Sequence, residues 1–140
     1  MLSVLPGAQR DAAAKSQFAP GDALYRDECG SCHIAYPAAL LGADGWRAIM
    51  DGLDRHFGVD ASLDPARRNR IAAYLNDAAG AGPRVAGARI SQTPWFDKEH
   101  LKVPAATWKS YAVKTVANCS ACHTAADGGD FGKSSRQLPR

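Results

Sequence analysis

The chain has 140 residues, enough for one domain or two small ones with a modest core. With 46% apolar and 22% charged residues it has the composition of a globular protein, which excludes a fibrous or disordered one. The formal net charge is only +3, and its basic and aromatic residues are not interleaved in the way a nucleic-acid surface requires.

The longest apolar run near the start is LSVLP, residues 2–6, too short for a membrane span or for the apolar region of a secretory signal. The chain as it stands is therefore expected to be soluble and not embedded in a membrane. An export leader would have been removed or left out. The first predicted helix lies in PGDALYRDECGSCH, starting at Pro20 or on an Asp22 cap, with Tyr25 one turn before Cys29.

A second helix is predicted from an Asp44 cap through GWRAIMDGLDRHFG, with Trp46, Ile49, Met50, Leu53 and Phe57 on one stripe and Gly58 as its C-terminal stop. His56 falls at one edge of the stripe and Met50 at the other. A third helix, in SLDPARRNRIAAYLNDAAG, starts at Asp64 and Pro65. It turns Ile71, Tyr74, Leu75 and Ala78 inward and stops at Gly80.

The Gly-rich stretch that follows marks residues 81–88 as a linker between a first domain, 1–80, and a second, 89–140. In the second, TPWFDKEHLKVP is bracketed by Pro94 and Pro104 and has room only for a short helical turn or a loop. PAATWKSYAVKTVANCSACH is predicted to align Trp108, Ala112, Thr115, Cys119 and Cys122 on one helical face. From Gly128 the tail is turn-rich, with Phe131 and Leu138 as candidate anchors.

All four cysteines belong to two copies of one pattern, CGSCH at 29–33 and CSACH at 119–123. Paired zinc knuckles sit roughly 15–20 residues apart, whereas 86 residues separate Cys32 from Cys119. Zinc also leaves the following histidines unexplained. A dithiol redox site needs one pair beside a βαβ pattern, and no convincing strand run is present.

The remaining reading is covalent attachment of two haem c groups. Thiols three apart on a helical turn share a face and reach the two vinyl groups of one porphyrin. The next residue, His33 or His123, then aims a ring nitrogen at the iron. For the sixth iron ligands the chain offers His56, His100 and Met50. His56 lies 23 residues after His33 and His100 lies 23 residues before His123. The plain alternatives are Met50 in place of His56, and His100 as a surface residue beside Lys98 and Glu99.

With these residues in view, the chain from about Ala19 to Pro139 resembles the small bacterial dihaem cytochromes c. The likeness rests on the paired C-x-x-C-H sites, on DGWRAIMDGLDRHFG and on SQTPWFDKEH. It implies a mostly α fold, with a class I cytochrome c-like helical first half around one haem and a loop-rich second half around the other. It also implies two histidines on each iron, His33 with His56 and His123 with His100, so the cofactor-binding set is Cys29, Cys32, His33, His56, His100, Cys119, Cys122 and His123. The family is more distantly similar to the dihaem small subunit of periplasmic nitrate reductase.

An iron with both axial positions filled has no place for substrate, so a monomeric, non-enzymatic electron carrier is expected. Two histidines without a methionine imply low potentials. The resemblance further implies a periplasmic location, a small high-spin oxygen-binding cytochrome c as acceptor and a membrane cytochrome b as donor. Two alternatives stand beside it: an electron-entry subunit of a larger reductase, and a dihaem peroxidase-like enzyme with one open iron. Residues 87–140 hold eight basic and four acidic side chains, and five of the six lysines (Lys98, Lys102, Lys109, Lys114 and Lys133) lie there, which suggests docking of an acidic redox partner.

Overall fold

The computed structural model describes residues 21–80 and 89–139, which form two compact units, 21–103 and 104–139. The expected linker at 81–88 and the Pro20 start lie outside the described residues. Architecture is mostly α: among the described residues there are five α-helices, short 3-10 turns and no strand, only two isolated bridges.

In the 21–103 unit, α1 spans Ala23–Cys29 and starts where Asp22 accepts from the Leu24 and Tyr25 N–H groups. α2 spans Ala43–Asp51. Its N-cap is Gly42 rather than the expected Asp44, which lies in the first turn and pairs with Arg47 at 3.2 Å. α3 spans Pro65–Ala78, with Asp64 accepting from the Arg67 N–H and proline at its first position, as the sequence indicates. α4 spans Pro94–Glu99, capped by the buried Thr93 hydroxyl, which accepts from the Phe96 N–H at 3.2 Å.

The core of this unit joins Tyr25 of α1, Ala38, Leu41, Trp46 and Met50 of α2, and Ile71 and Leu75 of α3. Ile71 and Leu75 are fully buried, and each such side chain contributes roughly 1.5–3 kcal/mol. Polar groups inside are satisfied: Trp46 Nε1 donates to the Ala38 carbonyl and Tyr25 Oη to that of Tyr36, both at 2.7 Å. Arg67 pairs with Glu28 and Arg68 with Asp51, tying α3 to α1 and to the end of α2. Residues 89–103, grouped by sequence with the second clamp, belong to this unit by their contacts, and Ile90 packs against the core.

Two predicted helices are shorter in the structure. α2 ends at Asp51, not at Gly58. Gly52 breaks it, a 3-10 turn covers Leu53–Arg55, and His56 and Phe57 leave the stripe altogether. Gly58, with φ of +93°, serves the tight turn between His56 and Val59 instead of a helix stop. Gly80 also has a different task from stopping α3: its N–H donates to the Leu41 carbonyl, and a Cβ on it would stand 2.0 Å from the Ala39 carbonyl oxygen.

In the 104–139 unit, α5 covers only Ala105–Trp108. The continuous helix expected up to the second clamp does not form. Its residues include the β-branched Val113, Thr115 and Val116, which favour helix less than unbranched side chains do, and of these only Val113 is buried. Lys114 takes φ of +62°, and Asn118 Nδ2 donates to the Val113 carbonyl at 3.0 Å, a local bond that competes with the helix. The tail runs through 3-10 turns at Ala126–Gly128 and Lys133–Ser135, and Leu138 stays half exposed instead of anchoring it.

Candidate functional site

The first clamp hangs on the end of α1. Cys29 is its last residue, and Gly30 caps it with an N–H to the Arg26 carbonyl at 2.9 Å. Only glycine fits there, since a Cβ would lie 2.3 Å from that same oxygen. The chain then turns through Ser31, whose hydroxyl donates to the Glu28 carbonyl at 3.1 Å, and delivers Cys32 and His33. Burial, with a smaller contribution from Glu28, pushes the Cys29 thiol up to about 11. Cys32 is exposed.

His33 Nδ1 lies 2.6 Å from the Ile34 carbonyl oxygen. Because a carbonyl can only accept, Nδ1 carries the proton and the lone pair is on Nε2, the nitrogen free to bind a metal. The Tyr36 ring lies over His33 with centroids 4.7 Å apart. The His56 ring is also near, its centroid 6.3 Å from that of His33 and the two planes 23° apart. Two imidazoles on opposite sides of one metal, with bonds of about 2 Å and about 1 Å more to each ring centre, put the centroids about 6 Å apart. The His33–His56 spacing matches that requirement.

His56 is brought there by the turn after α2 and not by the helix face. Burial first, then His33 and Arg89, disfavour its charged form, which leaves the neutral ring a metal needs. Met50, its rival as a ligand, is 4% exposed and belongs to the core between α2 and α3. Among the described residues no three His, Cys, Asp or Glu side chains converge into a cage of the kind a structural zinc requires.

The second clamp is a 3-10 turn, Cys119–Ala121, in the 104–139 unit. The Cys122 and His123 N–H groups both donate to the Cys119 carbonyl, at 3.2 and 2.8 Å, so the two cysteines and the histidine form one tight turn. Burial pushes the Cys119 thiol up to about 11 and raises that of Cys122 as well. The tail folds back on this turn: the Gln137 N–H donates to the Cys122 carbonyl at 2.8 Å, the Thr124 hydroxyl to Ser135 at 2.8 Å, and the Phe131 ring centroid lies 5.0 Å from that of His123.

His100 sits in the 21–103 unit as the C-cap of α4. Its Nδ1 is 2.7 Å from the Phe96 carbonyl oxygen, and the Phe96 ring stacks on it with centroids 4.0 Å apart. By the same reasoning as for His33, Nδ1 carries the proton and Nε2 the lone pair. Sequence reasoning missed three residues at these sites: Tyr36 on His33, Phe57 beside His56, and Arg89 over Phe57. Tyr36 follows the first clamp by three positions and carried a local signal; Arg89 carried none.

A family model for dihaem cytochrome c matches residues 25–131, a span that includes both clamps, His56 and His100. Among solved structures, a diheme cytochrome type c from Shewanella baltica OS155 is 40% identical, with 84% of this chain and 92% of that one covered and a TM-score of 0.77. A diheme cytochrome c from Rhodobacter sphaeroides is 43% identical, with 81% of this chain and all of that one covered (100%) and a TM-score of 0.72. Among curated proteins none matches.

Proposed function

The chain belongs to the dihaem cytochrome c family and carries two haem c groups, and from that premise we propose that it is a periplasmic electron carrier whose two irons are each held by two histidines. When bound, each haem supplies a one-electron iron couple. Cys29 and Cys32 tether the first and Cys119 and Cys122 the second. His33 with His56 would hold the first iron and His123 with His100 the second, which would suit both to electron transfer and not to binding a reacting ligand.

The observation that carries this reading is the 6.3 Å spacing of the His33 and His56 rings, together with the Ile34 carbonyl that orients His33 through Nδ1. For the second haem the support is the C-x-x-C-H turn at 119–123 and a His100 whose Nδ1 is likewise engaged by a carbonyl. Histidine in place of methionine lowers the potential of both centres. The acceptor is a small c-type haem protein and the donor a membrane cytochrome b. Docking is favoured by a stretch without Asp or Glu between Glu99 and Asp127, which carries Lys102, Lys109 and Lys114.

Ferric spectra test the ligand set. The wild-type protein is expected to show two low-spin centres without a sulfur-to-iron band, and His56→Ala and His100→Ala are each expected to turn one centre high-spin. Rapid, stoichiometric carbon monoxide binding by the fully reduced wild-type protein, with no slow ligand-release phase, would overturn the reading in favour of an open, peroxidase-like iron.

A further inference from the structure

We infer that Arg89 is a positioning residue that holds the turn carrying His56 in place by covering the ring of Phe57. The inference rests on the reading of His56 as an axial ligand.

His56 opens a two-residue turn. The Val59 N–H donates to the His56 carbonyl at 3.0 Å, the two residues form an isolated antiparallel bridge, and both residues between them have positive φ, 49° at Phe57 and 93° at Gly58. That is the pattern of a type I′ turn, whose first central position favours Asn, Asp or Gly. Gly58 adopts it freely. Phe57 does not: a bulky side chain in the left-handed region is strained and persists only where its surroundings hold it.

Protein side chains cover Phe57 only in part, since it is 43% exposed. Its ring touches two neighbours, His56 with centroids 4.8 Å apart and the Arg89 guanidinium, whose carbon stands 4.3 Å above the ring centre. Arg89 is itself fixed from behind. The next residue, Ile90, packs on the core and begins the 3-10 turn Ile90–Gln92 that leads into the Thr93 cap of α4. The neck of the loop is closed independently by the Ala61 N–H on the Leu53 carbonyl at 2.8 Å. Arg89 therefore acts on the tip of the loop, where the His56 side chain starts, and not on its base.

The test is slow carbon monoxide uptake by the reduced dihaem protein, which reports transient release of His56. Arg89→Ala is expected to speed uptake at the first haem about two- to fivefold, the range of an exposed cation–π contact. Arg89→Lys, which keeps a cation on the ring, is expected to stay within about twofold of wild type. Adding Phe57→Gly to Arg89→Ala is expected to restore the slow rate, since a Gly-Gly pair takes the turn without strain. Uptake by Arg89→Ala equal to wild type, or a double variant as fast as Arg89→Ala, overturns the inference. So does an Arg89→Ala protein with lowered thermal stability and faster uptake at both haems, which would make Arg89 a general fold residue. His56→Ala is the control: if it takes up no carbon monoxide, the ligand reading fails whatever Arg89 does.

Discussion

The hydroxyl of Tyr25 donates to the carbonyl of Tyr36 at 2.7 Å, and the ring of Tyr36 covers His33. One buried phenol thus links the helix that carries the first clamp to the residue that backs its histidine. Burial raises the Tyr25 ionisation well above the usual tyrosine value. A raised folded-state value means that the neutral phenol's contribution is complete below the unfolded value of about 10 and is lost as pH climbs above it, by up to about 1.4 kcal/mol per pH unit. Tyr25→Phe is expected to cost about 1 kcal/mol at neutral pH and to flatten the alkaline loss of stability. Denaturant unfolding followed by far-UV circular dichroism at several pH values above 9 checks both; equal alkaline slopes for the two proteins would count against the buried phenol.

Met50 is a core residue, so Met50→Leu, a swap of similar volume, is expected to cost less than about 1.5 kcal/mol and to leave the ferric spectrum and both potentials unchanged. Met50→Ala is expected to cost about 2–5 kcal/mol, again without a change of spin state. A shift of one haem's potential in Met50→Leu would return Met50 to the list of ligands.

Gly80 lies so close to the Ala39 carbonyl that a methyl group has no space against rigid backbone. Gly80→Ala is expected to destabilise the protein by about 1–3 kcal/mol through displacement of the 38–41 segment, which carries Ala38 and Leu41 of the core. Thermal unfolding measures this, and unchanged stability would show that the segment yields.

The lysines near the second clamp predict a salt-sensitive encounter. Oxidation of the reduced protein by hexacyanoferrate(III), an anionic oxidant, is expected to slow as ionic strength rises. Lys109→Gln with Lys114→Gln is expected to reduce that slope while leaving the high-salt rate alone. A slope untouched by the pair would move the docking face elsewhere.

Much of this molecule was legible from local chemistry. The two C-x-x-C-H runs carried the cofactor and the family, and short-range signals narrowed the start of α1 to Pro20 or Asp22, placed that of α3 at Asp64 and Pro65, and limited the segment after Pro94 to a short turn or loop, because a cap or a proline acts within three or four residues. Periodicity misled in two places for one physical reason: a stripe of apolar residues does not say whether a partner surface exists to bury it. The stripe through Phe57 is cut where Gly52 breaks the helix, and Phe57 beyond it stays 43% exposed. The stripe from Trp108 to Cys119 dissolves into turns because, of that stretch, only Val113 finds burial. The facing of His33 and His56, the retreat of Met50 into the core and the seat of Arg89 on Phe57 were decided by tertiary packing. His33 and His56 are 23 positions apart, Met50 and its core partner Ile71 are 21 apart, and Phe57 and Arg89 are 32 apart, beyond the reach of any signal that acts through one turn of backbone.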